Sequence, residues 1–479
     1  MNILFAASEC APFIKTGGLA DVVGALPKEL AKKGDDVRVI IPKYSLIPEK
    51  YRAQMTYAGQ FEVQFGFGRK GCGIMQLEMD GVTYYFLDSD DFFCVSRIYG
   101  DYIVEGHRFA FFCRAVIESL KVIGFTPDVL HLNDWQTGLI AALLKTQYRY
   151  DPKLSSIRTV YSIHNLQYQG VFNWYEMNSV LGLDDWLCSP EYLEFYGNMN
   201  CMKAGLVFAD KILTVSPTYA EEIKMPYFGE QLDGLIRKRG ADVLGILNGI
   251  DTEFFDPATD PAIAQNYSTR TRRKKVANKL ALQREMGLPE REDVAVIGFC
   301  SRFASQKGLD LIECVLRDIL RMDVQMVFLG SGDGHFTNVI EWAHLQWPEK
   351  LACYIGFNEP LSHRIYAGCD LFLMPSKFEP CGLSQLISLR YGTIPVVRET
   401  GGLRDSIRPY NQYTDEGNGF SFANYNAHEM LFTLERAVRY YQEDKEMWDR
   451  LMARAMKCNF GWSSSAAKYR ALYKNLLKH

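Results

Sequence analysis

Residues 2–21 read NILFAASECAPFIKTGGLAD, and this stretch decides the fold class. Asn2–Ala7 is a short apolar run of strand type. The glycine pair of KTGGLAD (15–21) then breaks the chain, and Asp21–Lys33 has the apolar spacing of an amphipathic helix. A continuously apolar strand that passes through a glycine loop into a helix is one βα unit of a parallel sheet covered on both faces. Adjacent glycines let backbone approach a ligand closely, and a helix start favours an anion. Lys15 adds a positive charge at the same mouth. The loop is not G-x-G-x-x-G, so a dinucleotide fingerprint is absent from it.

The same rhythm continues outward. Val37–Pro42, Val129–Leu132, Thr159–Ile163 and Ile212–Val215 are strand candidates, with helices predicted at Asp21–Lys33, Phe109–Ile123 and Gly138–Gln147. Phe61–Phe67 and Thr83–Leu87 look like a hairpin inserted into that plan. A second series follows: strands Val294–Phe299, Gln325–Leu329, Ala352–Ile355, Leu371–Met374 and Ile394–Val397, alternating with helices Leu309–Leu320, Phe336–Trp347, Ser362–Ala367 and Leu383–Arg390. The basic run Ser268–Arg284 reads as a solvated helix. The glycines of GADVLGILNGID (240–251) mark the changeover, and Asn459–Leu477 has helical spacing. The expectation is α/β throughout: two doubly wound, Rossmann-like domains facing a cleft. They span 1–245 and 246–457, and a C-terminal helix in 458–479 packs back on the first.

Length and composition agree. The 479 residues suit two domains of roughly 200–250 residues, and 48% hydrophobic residues can fill two cores. A formal net charge of −4 argues against a nucleic-acid partner held through phosphates. No apolar run reaches the roughly 18 residues that a spanning helix needs, and Glu9 interrupts the apolar start, unlike a signal peptide. Twelve cysteines without a C-x-x-C pair point to a reduced, cytoplasmic protein with no membrane association.

Ligands of open parallel sheets bind beyond the carboxyl ends of strands, and the chemistry-bearing motifs lie there. FCSRFASQKG (299–308) places Arg302 and Lys307 in one strand-to-helix loop, a two-cation clamp suited to a diphosphate. Two solvated surface cations are the plainer alternative. GSGDGH (330–335) resembles a glycine fingerprint, but His335 stands where the third glycine belongs. YSIHN (161–165) ends a buried strand with His164 and Asn165, and HLNDW (131–135) does so with Asp134 and Trp135, of which Trp135 reads as core. SKFEPCGLSQL (376–386) sets Glu379 beside the helix start at Cys381, Gly382, Leu383 and Ser384. That pairing makes sense if Glu379 grips sugar hydroxyls while backbone amides hold a phosphate. Asp88-Ser89-Asp90 has a D-x-D form but is more simply a polar turn, and no Cys/His set has zinc spacing, so no metal and no cofactor are expected.

Taken together, KTGGLADV, YSIHNLQYQG, LNGID, SRFASQKG, GFNEPLSHRIYAGCD, FEPCGLSQL and TGGLRDSI resemble the bacterial glycogen synthases and plant starch synthases, glycosyltransferases of the GT-B type. The motifs stand in family order across essentially the whole chain. The resemblance implies metal-independent transfer of glucose from ADP-glucose to the non-reducing end of an α-1,4-glucan such as glycogen, with retention of the α configuration. By motif position, Lys15, Arg302 and Lys307 would neutralise the donor diphosphate. Gly17 and Gly18 would let the chain close on the donor, and Cys381–Ser384 would present amides to the distal phosphate and glucose. Glu379 would bind glucose hydroxyls, His164 and Asn165 would position the transferred sugar, and Phe357 would stack the nucleotide base. Asn248 falls on the hinge side, Glu9 on the acceptor side, and Asp21 and Asp134 among substrate-binding residues on the acceptor side or just behind those that touch substrate.

Relatives commonly carry threonine at Ser384, which keeps the hydroxyl. Many retaining GT-B enzymes show E-x7-E here, whereas position 387 is Ile387, so a second carboxylate cannot be invoked. An aromatic at Phe357 would stack adenine or uracil alike, which leaves open a UDP-glucose enzyme of the same class. A non-catalytic glucan-binding relative is the other alternative, disfavoured by the presence of all the phosphate cations. The second T-G-G-L, at 400–403, follows Glu399, which would repel a phosphate; nothing in its neighbours assigns it the first copy's ligand.

Overall fold

The computed structural model describes residues 1–66, 68–100 and 102–478. It divides into two compact units: Met1–Ile246 with the segment from Trp462 onward, and Leu247–Gly461. The chain therefore returns to the first unit at 461/462 rather than at 457/458, because Ile250 N–H donates to Phe460 O (2.8 Å) and holds 459–461 to the second unit.

The first unit is built on strands β1 (Asn2–Ala6), β2 (Asp36–Pro42), β3 (Thr56–Phe65), β4 (Gly68–Met79), β5 (Val82–Asp88), β6 (Val129–Asn133) and β7 (Arg158–Ile163). A small three-stranded sheet of β8 (Val171–Asn173), β9 (Glu194–Phe195) and β10 (Asn198–Asn200) follows, then β11 (Lys211–Thr214) and β12 (Val243–Gly245). The main sheet runs β12-β11-β7-β6-β1-β2-β5-β4-β3. Its pairs from β12 to β5 are all parallel, and β5-β4-β3 are antiparallel. The inserted element is thus a three-strand edge and not a two-strand hairpin. The strand missed, β4, opens with four exposed residues, Gly68 to Gly71, and buries only Cys72 and Ile74, so no continuous apolar run marks it; Phe67, the end of the predicted first strand, lies outside the described residues. The small sheet of β8–β10 was likewise invisible, its strands being two or three residues long.

The second unit contains β13 (Ala295–Cys300), β14 (Val324–Gly330), β15 (Leu351–Ile355), β16 (Leu371–Met374), β17 (Ile394–Arg398) and β18 (Phe420–Phe422), paired in parallel as β15-β14-β13-β16-β17-β18. In both sheets the order reverses beside the first strand, between β1 and β6 and between β13 and β16. Helices that leave such a pair in opposite directions open a crevice at the strands' carboxyl ends.

The basic run does not form a solvated helix. It splits into a 3-10 turn, Thr269–Lys274, and a helix, Lys275–Glu285, whose Lys275 and Lys279 are buried. Lys275 Nζ donates to Tyr366 O, Ala367 O and Thr393 Oγ1; Lys279 Nζ pairs with Asp370 at 2.8 Å and donates to Glu292 O, Val294 O and the Tyr441 hydroxyl. Carbonyl acceptors at strand and helix ends bind these ammonium groups, and a charge count along the chain cannot register them.

The C-terminal helix, Trp462–Leu476, packs on the helix Gly18–Ala31. Arg470 reaches the buried Asp35 (2.7 Å), which the N-terminal ammonium also contacts (3.1 Å). Deeper in, the Tyr473 hydroxyl meets His131 Nδ1 at 2.5 Å while His131 Nε2 meets Ser162 Oγ at 2.6 Å, and Phe5 stacks on the ring at 4.7 Å. Burial pushes the His131 pKa down to about 3, so the ring is neutral and uses one nitrogen as donor and one as acceptor. Tyr473→Phe leaves one nitrogen buried without a partner. It is expected to lower the stability of the first unit by about 1–3 kcal/mol in chemical denaturation; an unchanged midpoint would contradict that pairing.

Candidate active site

The sheet of the first unit delivers the first set of predicted residues to its β1/β6 switch point. After β1 the chain loops through Glu9 and Lys15 into a helix that begins at Gly18, three residues before Asp21. The loop is held down from both ends. Ala11 N–H donates to Ala20 O (3.0 Å), and the buried Glu9 carboxylate accepts from Thr16 N–H (2.5 Å) and Thr16 Oγ1 (2.9 Å). Burial raises the Glu9 pKa, against the pull of the Thr16 and Gly17 hydrogen bonds. Glu9 thus shapes the glycine loop. Lys15 Nζ lies 2.7 Å from Asp21 Oδ1, both partly exposed. A side chain built on Gly17 would meet no atom within 4 Å, so its inner surface is open.

At the ends of β6 and β7, Asn133, Asp134, His164 and Asn165 come together. Asn133 Nδ2 donates to Ala6 O (3.0 Å) and His131 O (3.3 Å), which turns Asn133 Oδ1 toward His164 Nε2 at 2.9 Å. The network therefore assigns the imidazole proton to Nε2 and leaves Nδ1 as an acceptor. Burial pushes the His164 pKa down to about 3, so the ring is neutral. A neutral imidazole with a free lone pair accepts a hydroxyl proton, which suits a sugar. Asp134 Oδ1 accepts the His164 N–H at 2.7 Å, and Asn165 Oδ1 accepts the N–H of Gln167 at 3.0 Å. Asp134 itself adopts φ 54°, ψ −176°, a region nearly confined to glycine and costing about 1–3 kcal/mol in other residues. Trp135 is core, packed between Phe109 and Phe172.

The second set gathers at the β13/β16 switch point. A side chain on Gly308 (φ 76°) would stand 2.1 Å from Pro375 O, so glycine alone permits the two strand-end loops to touch. Lys377 N–H donates to Gln306 O (2.8 Å) across that contact. The result is an ion pair: Lys307 Nζ to Glu379 Oε2 at 2.7 Å, with Ser376 Oγ donating to the same oxygen at 3.0 Å. Both bonds engage the same carboxylate oxygen of Glu379. Arg302 sits exposed in the same loop. GSGDGH braces that loop from behind, with Phe303 N–H donating to Ser331 O and Asp333 N–H to Phe303 O; His335 turns to Glu313 (2.9 Å) and leaves the site.

Cys381, Gly382 and Leu383 lead into the helix Ser384–Arg390, with Gly382 at φ 70° and Ser384 Oγ accepting from the Tyr366 hydroxyl (3.0 Å). Burial pushes the Cys381 thiol up to about 12, which makes it an inert packing group. Asn248 N–H points at that sulfur, while Asn248 Oδ1 is buried with no hydrogen-bond partner among the described residues. Phe357, beyond β15, is 84% exposed.

The supporting residues Asn133, Ser376, Tyr366 and Gln385 were not singled out from sequence. Only Asn133 carried a signal, as a polar residue closing an apolar strand. Asp88 closes β5 and pairs with Lys43 (2.6 Å), and Ser89 leads straight into the helix Asp90–Phe93, so D-x-D is a strand-to-helix junction and not the polar turn expected. Among the described residues no group of three or more His, Cys, Asp or Glu is placed to hold a metal ion, and no helix is long and apolar enough to cross a membrane.

Burial pushes the Asp134 pKa up to about 7, from an ordinary value near 3.8, over the opposing pull of the His164 and Asn165 N–H groups. The folded protein then holds this proton more tightly than the unfolded chain, so its stabilising contribution is complete below pH ~4 and is lost as pH rises to ~7. Asp134→Asn should flatten that segment of the stability–pH profile; denaturation midpoints with the wild-type pH slope would contradict it.

Residues 2–238 match the family described as the starch synthase catalytic domain, and residues 285–457 match glycosyl transferases group 1. Glycogen synthase of Geobacillus thermodenitrificans is 51% identical over 478 residues, covering 100% of this chain and 98% of the relative. The Bacillus cereus (strain ATCC 10987) enzyme is also 51% identical, covering 100% of both. The solved catalytic domain of starch synthase IV from Arabidopsis thaliana, bound to ADP and acarbose, superposes with a TM-score of 0.92 at 34% identity, covering 100% of this chain and 99% of that one. Sucrose-phosphate synthase from Thermosynechococcus elongatus shares the fold, with a TM-score of 0.63 at 16% identity. With two switch-point sites of this make-up and full-length identity of this order, the chain belongs to the glycogen synthase and starch synthase family of GT-B glycosyltransferases.

Proposed function

We propose that this enzyme extends α-1,4-glucans by transferring glucose from ADP-glucose to the non-reducing end, with retention of the α configuration. The observation that carries the reading is the Lys307–Glu379 pair beside Arg302 at the β13/β16 switch point. It supplies cations for a diphosphate and a carboxylate for sugar hydroxyls within one pair of loops. The ADP bound by the solved starch synthase IV domain supports an adenine nucleotide, with Phe357 as the stacking face.

The bond between glucose C1 and the β-phosphate oxygen breaks, its electron pair leaving with ADP. Negative charge grows on that phosphate, and Arg302 and Lys307 stabilise it most at the transition state. Glu379, oriented by Lys307 and Ser376, accepts from glucose hydroxyls. In the first unit His164 Nδ1, beside Asn165, is an acceptor for a sugar hydroxyl. Asn248 Oδ1 supplies a further acceptor. The acceptor glucan's O4 attacks C1 on the face that the phosphate leaves, and its proton passes to a departing phosphate oxygen. A double displacement would need a carboxylate close to C1; Ile387 stands where a second one is often found. The twelve free cysteines suit a reducing compartment, and we place the enzyme in the cytoplasm.

Incubation with ADP-glucose and a linear maltooligosaccharide should yield longer chains whose new linkages are α-1,4 by NMR. A β-linked product, or a glucosyl group trapped on a side chain, would overturn the mechanism. Lys307→Ala should lower kcat by about 100-fold or more while glucan affinity stays within about twofold. Equal turnover would remove Lys307 from phosphate stabilisation.

A further inference from the structure

The two T-G-G-L segments share a sequence and differ in what fills the space above their glycines. Over Gly17 nothing lies within 4 Å of a built side chain. Over Gly401 (φ 45°) a side chain would stand 2.0 Å from Glu379 O, and over Gly402 it would stand 2.0 Å from Cys381 O and 2.5 Å from Cys381 Cα. The second copy is therefore occupied, and its occupant is the 379–382 backbone. Gly402 N–H donates to Glu379 O (3.1 Å) and shares Pro380 O (3.2 Å).

A second set of bonds locks the same contact from below. Gln385 is fully buried, and its Nε2 donates toward Cys381 O (2.9 Å), Gly382 O (3.1 Å) and Ser406 Oγ (3.2 Å). The Ser406 hydroxyl in turn donates to Gly402 O (2.6 Å), which leaves its lone pair facing Gln385. Asn418 Nδ2 holds Ser406 O at 3.0 Å. The carbonyls of Cys381 and Gly382 are thus pulled down toward the helix Gly401–Ser406, and the same two peptide planes set the N–H groups of Gly382 and Leu383.

We propose that Gly401, Gly402, Gln385 and Ser406 are positioning residues that form a rigid bed for the 379–384 loop, a role that rests on the donor function proposed above for that loop. The second T-G-G-L binds no ligand of its own; it holds the loop that does. Peptide planes held from behind need little reorganisation when phosphate charge develops, so the bed acts on kcat through the donor alone.

The test uses the full-length enzyme and three variants: Ser406→Ala, Gln385→Leu and their double. Each single variant should lower kcat with ADP-glucose by about tenfold while the glucan KM stays within about twofold. The double should fall little further than the worse single, because both break one network. Hydrogen exchange should quicken at the amides of 379 and 381–384 and not elsewhere. A merely structural role predicts a lower melting temperature with wild-type kcat per folded molecule and no local change in exchange. That result, or additive losses, would overturn the proposal. Should Gln385→Leu fail to fold, Ser406→Ala alone decides, since it removes a single hydroxyl. If the wild-type enzyme does not use ADP-glucose, the donor reading fails, and the exchange measurement still tests the bed.

Discussion

A parallel sheet carries the carboxyl ends of all its strands to one edge, and the site in each unit depends on that constraint. Where the order reverses, β1 beside β6 and β13 beside β16, the outgoing helices diverge and strand-end loops can meet over the gap. Glu9, Lys15, Asp134 and His164 come from one such edge, and Arg302, Lys307 and Glu379 from the other. Close approach of backbone then converts topology into chemistry. Without the missing Cβ of Gly308, the β13 and β16 loops could not touch and Lys307 could not reach Glu379.

The electrostatics follow from that packing. The first unit keeps His164 neutral, with its proton fixed by Asn133, so its free nitrogen can only accept. The second keeps a cation and a carboxylate in contact, so each is presented already oriented. The strained backbone at Asp134 stores free energy where the His164 and Asn165 N–H groups must be held, as is common at sites of function.

Much of this was legible in the residues. Buried parallel strands read as continuous apolar runs, and the polar residues that follow them stand out, which is how His164 and Asp134 drew attention; Glu379 stood out beside a helix start, and the roles expected of all three came from the family resemblance. Strand β4, between β5 and β3, escaped because its first four residues are exposed and only Cys72 and Ile74 are buried. Lys275 and Lys279 were misread because the carbonyls, hydroxyls and carboxylate that bind them lie outside their own helix, where a local charge pattern does not register them. The two T-G-G-L copies could not be told apart by composition: both are glycine segments after parallel strands, and only the atoms above Gly401, where Gly17 has none, reveal that one is already filled. Asn133 and Gln385 act through other residues, and a positioning role leaves no mark on local pattern.

The measurement that bears most directly on the whole account is the initial rate of glucose incorporation into glycogen by the purified enzyme, with ADP-glucose and UDP-glucose compared at equal concentration. Rapid incorporation from ADP-glucose with a much slower rate from UDP-glucose is the result expected. Incorporation from neither donor would contradict the account.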